Sequence, residues 1–136
     1  MKYLLTPAIL LLLLSASGHA QKKDPDDPDG LMRAATDRRW MNQHDTLYSF
    51  LTTKPEQPIK TRPDKLYYWF NKDTIMTTIG GYAGRLLDGE YKVFYPNKTL
   101  KEMGNFRLGL KTGIWKIWYP NGNLASMTQW KDGEKY

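Results

Sequence analysis

The chain contains no cysteine, and this absence excludes several classes of small protein. There can be no disulfide framework, no zinc site built on cysteine, and no lipoprotein signal that attaches lipid to a cysteine. The fold must therefore be held together by packing and hydrogen bonding alone.

Histidine is almost as scarce, with two residues, His19 and His44. Metal sites need clustered ligands, acid–base catalysis needs groups that converge on one cleft, and a lone histidine is usually a surface or loop residue. The sequence also lacks a nucleophile motif and a phosphate-binding glycine loop. We predict no catalytic residue, no cofactor and no metal site; an enzyme with an unrecognised cleft is the alternative.

Clusters of positive charge are absent too, although the formal net charge is +6. A protein that follows a phosphate backbone needs lysine and arginine concentrated on one face or in one run. We therefore predict that nucleic acid is not a partner.

The one long apolar run lies at Leu4–Leu14, within Met1–Ala20. Lys2 precedes it, and Gly18 and Ala20 stand at the −3 and −1 positions of a cut before Gln21, which is typical of a signal peptide. The run is shorter than the roughly 20 apolar residues of a membrane span. We predict export to the periplasm, outer surface or medium, with an uncleaved anchor as the alternative.

Residues 21–30, "QKKDPDDPDG", are polar and predict a flexible lead-in. A calcium-binding loop with Gly30 as its central glycine is a weaker alternative. Pro25 would then stand at the first ligand position and Thr36 at the closing glutamate.

The segment 31–64 is less regular than the rest. A weak apolar stripe predicts a short helix over Leu31–Gln43. β-Branched and aromatic residues predict a strand over Thr46–Thr53, and three prolines predict a loop over Lys54–Asp64.

From Lys65 onward the chain repeats itself. The stretch "VFYPNKTLKEM", Val93–Met103, returns 24 residues later as "IWYPNGNLASM", Ile117–Met127, and "LYYWFNKDTIMTTIGGYAG" is a degenerate earlier copy. We predict three repeats over 65–88, 89–112 and 113–136. The identical pairs are Gly89/Gly113, Lys92/Lys116, Tyr95/Tyr119, Pro96/Pro120, Asn97/Asn121, Leu100/Leu124, Met103/Met127, Gly109/Gly133 and Lys111/Lys135.

Each repeat is predicted to be a β-hairpin. Pro120 and Asn121 suit the corners of a type I turn, and Gly122 suits the left-handed position that closes a three-residue loop with a bulge. Lys98 replaces this glycine in the second copy, which costs about 1 kcal/mol if the conformation is kept. Gly109 and Asp132–Gly133 are predicted to form the tight reversals that follow the hairpins.

This turn predicts the strand register, with Trp118 opposite Leu124 and Trp115 opposite Met127, and alternation then assigns the faces. Both faces are largely apolar, so the second needs cover, either from residues 31–53 or from a partner. The first face is predicted to hold Trp115, Ile117, Tyr119, Ala125 and Met127, with Tyr91, Val93, Tyr95 and Met103. The second, the predicted interaction face, holds Lys92, Phe94, Leu100, Phe106, Lys116, Trp118, Leu124 and Trp130.

The sequences "DGEYKVFYPNKTLKEMGNF" and "TGIWKIWYPNGNLASMTQWKDG" resemble MORN-type repeats. The resemblance is to the bacterial variant found in toxin–antitoxin antitoxin-like proteins. It implies a mainly β fold, an antiparallel sheet of stacked hairpins, to which the residues add a short helix and strand before it. It also implies a non-catalytic binding or scaffold protein.

The expected partner is another protein, because the second face is rich in aromatic and apolar side chains. Binding to a membrane surface or cell-envelope polymer is an alternative, since aromatic rings lie beside Lys92 and Lys116. An antitoxin- or immunity-like role is a further alternative. The sequence does not predict an oligomeric state.

Overall fold

The computed structural model describes residues 36–136, which form an antiparallel sheet. The predicted signal peptide, the lead-in, nearly all of the calcium-loop alternative and the start of the predicted helix lie outside the described residues. Within them, no helix is long and apolar enough to cross a membrane. The strands are β1 (Asp37–Gln43), β2 (Thr46–Thr53), β3 (Leu66–Asn71), β4 (Thr74–Ile79), β5 (Arg85–Phe94), β6 (Leu100–Arg107), β7 (Leu110–Trp118), β8 (Leu124–Lys131) and β9 (Glu134–Lys135).

The strands follow the order β1-β2-β5-β6-β7-β8-β9, and every neighbouring pair is antiparallel. The hairpins β5–β6 and β7–β8 correspond to the second and third sequence repeats, and β6 pairs with β7 to join them. The predicted mainly β fold of antiparallel hairpin repeats is confirmed.

The helix predicted over Leu31–Gln43 is wrong for its described part. Residues 37–43 form β1, and every one of them pairs with β2. His44 and Asp45 link the two strands with φ of 50° and 61°, the positive values of a two-residue hairpin turn whose twist matches that of the strands. Strand pairing therefore overrides a weak helical stripe. The strand predicted over Thr46–Thr53 is confirmed as β2.

The first repeat does not continue the ribbon of hairpins, as the sequence had suggested. Residues 65–88 contain the hairpin β3–β4, but β4 pairs with β3 alone. The place beside β5 is taken by β2, which pairs with it from Leu47 opposite Phe94 to Thr53 opposite Leu86. On its other edge β5 pairs with β6 from Gly89 onward. β3 therefore meets β5 only before that point, where Trp69 and Phe70 lie opposite Leu86 and Arg85.

The hairpin β3–β4 covers one face of the sheet, which we call the covered face. Tyr68, Phe70 and Ile75 pack against its buried side chains, and the Tyr68 amide donates to the Gly109 carbonyl oxygen (2.8 Å). The degenerate repeat thus covers the side that holds Tyr91 and Trp115, whereas the sequence predicted cover for the other face, by a partner or by residues 31–53. Of these, the described ones extend the sheet as β1 and β2.

The turns of the two later repeats have the predicted geometry. Gly122 has φ of 88° and Lys98 has φ of 68°. In each loop the tyrosine before the proline pairs with the residue four positions later, Tyr119 amide to Asn123 oxygen (2.8 Å) and Tyr95 amide to Thr99 oxygen (2.9 Å). The reversals also form as predicted, with positive φ at Gly109, Asp132 and Gly133.

Replacing Lys98 by glycine is expected to raise the free energy of unfolding by about 1 kcal/mol, because Lys98 is held in a conformation that disfavours a Cβ. Gly122→Ala at the equivalent position is the matched reverse change and should lower it by about the same amount. Urea unfolding followed by circular dichroism measures both. A Lys98→Gly protein no more stable than wild type would mean that the turn carries no strain.

A β-bulge in the second repeat and another in the third change the predicted register. Trp118 lies opposite Leu124 as expected, but Ile117 lies opposite Ser126, so Ala125 is an extra residue on β8. Lys101 is the equivalent extra residue on β6, between Leu100 and Glu102. Trp115 consequently lies opposite Thr128 and not, as predicted, opposite Met127.

The main core lies under the hairpin β3–β4. Its buried members are Phe50, Leu87, Phe106 and Trp115. The Phe106 and Trp115 rings meet edge to face with centroids 5.0 Å apart, a favourable arrangement for aromatic pairs. A second cluster of Tyr67, Trp69 and Leu86 packs beside it against Ile59, Tyr82, Leu108 and Leu110.

Candidate interaction face

The side of the sheet opposite the covered face is the uncovered face, where in residues 36–136 we find no second layer. The alternation of paired residues brings most of the predicted interaction residues together there. The bulges also turn Met103 and Met127 to this face, although both were predicted to lie on the other one. The repeat residues of the uncovered face include Lys92, Phe94, Leu100, Met103, Lys116, Trp118, Leu124 and Met127.

Phe106 and Trp130 were assigned to the interaction face, and the structure contradicts both assignments. Phe106 is 3% exposed within the core, and Trp130 is half-buried against the same cluster. The cause is the bulge in each repeat, since one extra residue turns every later side chain of the strand to the opposite face. No residue pattern marks these bulges directly.

Exposure on the uncovered face rises from the second repeat to the third. Leu100 and Met103 are partly buried, whereas the equivalent Leu124 and Met127 are 51% and 61% exposed. β8 pairs with β7 on one side but on the other meets only β9, at Trp130 and Lys131. The third repeat thus presents the larger apolar surface.

The uncovered face continues across β2 and β1. Leu47 lies opposite Phe94 on β5, and Trp40 on β1 is 61% exposed. Trp40 was missed as an interaction residue because its segment was predicted to be helical. The alternation of half-buried Arg39 and Met41 with exposed Trp40 is seen only in the structure. The sequence DRRWMNQ has no apolar–polar alternation that could have placed Trp40.

The two lysines of the uncovered face differ in their surroundings. Lys92 Nζ lies 3.0 Å from a Glu90 carboxylate oxygen, and Arg38 lies 3.4 Å from the other. The hydrogen bond from Lys92, together with both positive charges, lowers the Glu90 pKa. Lys116 makes no ion pair within the described part of the chain, so it is the lysine available to an anionic ligand.

Two segments of the chain match a family model described as a MORN repeat variant, residues 87–107 and residues 111–132. We refer to these two matched segments as the MORN repeats. They coincide with the hairpins β5–β6 and β7–β8. No curated protein and no solved structure matches the chain. MORN repeats are commonly involved in binding proteins or membranes, and the family is generally non-catalytic.

The covered side of the MORN repeats holds a lysine among aromatic rings. Lys111 Nζ lies 4.3 Å from the ring centroid of Trp115 and 4.9 Å from that of Trp130. Burial lowers the Lys111 pKa, and burial raises the pKa of neighbouring Glu102. Contacts of this kind combine the attraction between a cation and an aromatic ring with packing of the lysine's aliphatic stem. Here the pattern occurs under the hairpin β3–β4, where it contributes to packing.

The described residues offer little to a metal ion. We find no group of three or more histidine, cysteine, aspartate or glutamate side chains in residues 36–136 that could hold one. His44 is exposed in the turn between β1 and β2, which confirms the prediction that it is a loop residue. The polar side chains of the MORN repeats thus form ion pairs and turns around an apolar surface.

Proposed function

We propose that the protein is an exported, non-catalytic binding or scaffold protein that holds another protein on its uncovered face. The observation that supports this function is the contrast between the two faces of one sheet. One is partly covered by the hairpin β3–β4, while the other presents Trp118, Leu124 and Met127 with Lys116 among them. Contiguous exposed apolar side chains with a polar rim are typical of protein-binding surfaces.

The third repeat is the expected centre of the contact. Trp118 and Leu124 lie directly opposite each other, so their side chains form one continuous apolar patch. Tyr119, at 55% exposed, is the corresponding turn residue. Its equivalent Tyr95 instead donates its hydroxyl to the Trp118 carbonyl oxygen (2.7 Å). A partner that lies over this end of the third repeat would contact Tyr119, whose equivalent Tyr95 is already held by the chain itself.

Binding to a membrane surface or an envelope polymer is the second candidate function. The arrangement that favours it is Lys116 beside Trp118, since aromatic rings with a nearby cation suit sugar rings and anionic headgroups. The Glu90–Lys92 ion pair weakens this candidate, because it reduces the positive charge of the face. An antitoxin- or immunity-like role rests on the repeat resemblance alone.

A double variant, Leu124→Glu with Met127→Glu, tests the protein-binding function. Both side chains are more than half exposed, so the fold should tolerate the change while buried carboxylates would disrupt a contact. We expect the tagged wild-type protein to recover one partner in stoichiometric amount from the envelope of its own cells. The double variant should recover at least about tenfold less of the partner than the wild type does, as expected for hot-spot residues.

Ile79→Glu is the matched control, because Ile79 is 74% exposed on β4, in the hairpin that lies on the opposite side of the sheet from the uncovered face. It should retain the partner. Recovery that is unaffected by the double variant would contradict the proposed contact. Sedimentation with anionic vesicles or peptidoglycan at low salt, lost at high salt, would instead favour the membrane or polymer function.

A further inference from the structure

A basic cleft lies outside the two MORN repeats, where β1, β2 and the hairpin β3–β4 meet the start of β5. Its volume is about 410 Å³. Arg39, Lys54, Lys72 and Arg85 line it, together with Asn71, and no acidic residue is part of its lining. Four separate segments thus bring four positive charges to one concavity.

Two contacts fix the arginine at the centre of this cleft. Arg85 Nη2 donates to the Asp37 carboxylate (2.6 Å), and Arg85 Nε donates to the Thr52 hydroxyl (3.2 Å). Asp37 also lies 3.6 Å from the Arg39 guanidinium. One carboxylate therefore neutralises only part of the charge of the two arginines and both lysines.

Arg39 leaves part of its hydrogen-bonding capacity unused. Its Nε atom is shielded from solvent and has no hydrogen-bond partner within the described part of the chain. Buried polar groups in proteins are nearly always paired, and an unpaired donor of a charged group is especially unfavourable. The Arg39 side chain as a whole is 41% exposed, so a ligand in the cleft would meet its solvent-accessible part and not the shielded Nε.

The close approach of β5 to β3 shapes the cleft wall. A Cβ on Gly84 would lie 2.3 Å from the Phe70 carbonyl oxygen and 2.8 Å from the Trp69 ring. The backbone can pass there only because residue 84 has no side chain. The cleft is consequently a fixed feature of the packing and does not depend on the placement of long side chains alone.

We propose that this cleft binds a phosphate-class oxyanion, either free or carried by a larger molecule. The guanidinium donors that Asp37 and Thr52 leave free can bind the oxygens of a tetrahedral oxyanion, and the flanking lysines add positive charge. The charge of the cleft exceeds that of Asp37 by three, which suits a dianion better than a single carboxylate. The site is separate from the uncovered face and does not depend on the function proposed for it.

Titration of the purified full chain with inorganic phosphate at constant ionic strength tests the site. In ¹H–¹⁵N NMR spectra the Nε–H signals of Arg39 and Arg85 should shift and saturate, with a dissociation constant of about a millimolar. The variant Lys54→Gln with Lys72→Gln should bind about fivefold more weakly. Both lysines are exposed, so the fold should be retained, and circular dichroism verifies this.

Lys131→Gln is the matched control, since Lys131 is exposed on β8 and does not line the cleft. It should leave the dissociation constant unchanged. Shifts that chloride reproduces, shifts that do not saturate, or equal binding by the double variant and the wild type would each overturn the proposal.

Vesicles distinguish the source of the oxyanion. Co-sedimentation with phosphatidylcholine vesicles that contain phosphatidic acid, lost in the lysine double variant, would support the site and identify a lipid headgroup. Saturable phosphate binding without co-sedimentation would support the site and identify a soluble phosphate compound.

Discussion

Replacing Trp115 by alanine is expected to lower the free energy of unfolding by about 3–5 kcal/mol, the range for deleting a buried large aromatic side chain. Trp115 is 4% exposed, and its ring meets those of Phe106 and Tyr91 with centroids 5.0 Å and 5.5 Å away. Because the ring lies between two MORN repeats and under the hairpin β3–β4, its loss opens a cavity that no neighbour can fill fully. Urea unfolding followed by far-ultraviolet circular dichroism measures the change.

Trp40→Ala is the matched control for this prediction. Trp40 is 61% exposed on the uncovered face, so its removal should cost about 1 kcal/mol or less. A similar loss of stability in the two variants would contradict the distinction between a covered and an uncovered face. If Trp115→Ala had the same free energy of unfolding as the wild type, the core around Trp115 would not be what holds the repeats together.

The hairpin turns could be predicted from the sequence because they depend on nearby residues. Pro120, Asn121 and Gly122 specify their loop almost by themselves, and the repeat transfers the same geometry to Lys98 despite its side chain. The pairing of Trp118 with Leu124 follows directly from that loop. Predictions that rested on such short-range chemistry are confirmed.

The interaction face was only partly predictable, because alternation fails at a bulge. Up to Leu100 and Leu124 the residues fall on the face that a simple hairpin predicts. Beyond the extra residues Lys101 and Ala125 every side chain is reversed, which moves Phe106 into the core. The equal position of the bulge in both repeats indicates that it belongs to the repeat and not to one hairpin.

The arrangement of the non-repeat strands could not be read from the sequence, since it depends on competition for one sheet edge. Both β2 and the hairpin β3–β4 could have paired with the free side of β5. β2 takes this edge and buries Phe50, Thr52 and Thr53, and the hairpin then covers the face. The basic cleft is a product of this arrangement, because residues from 39 to 85 converge there only after it is settled.

Replacing Gly104 by alanine is expected to lower the free energy of unfolding by about 3 kcal/mol, at the upper end of the cost of overpacking a core. A Cβ at this position would lie 2.2 Å from two carbons of the Trp115 ring. That ring is held by Phe106 on one side and cannot move without disturbing the main core. The same urea unfolding experiment measures the loss.

Gly81→Ala is the matched control, because a Cβ there would meet nothing within 4 Å and its backbone is not in the left-handed region. It should leave the stability unchanged or raise it by about 0.5 kcal/mol, through a less flexible unfolded chain. The decisive comparison places Gly104→Ala in the Trp115→Ala background, where the clashing ring is gone. There the added methyl group should cost little, so the two changes should be strongly non-additive. Additive losses would show that Gly104 is needed for a reason other than the ring that lies over it.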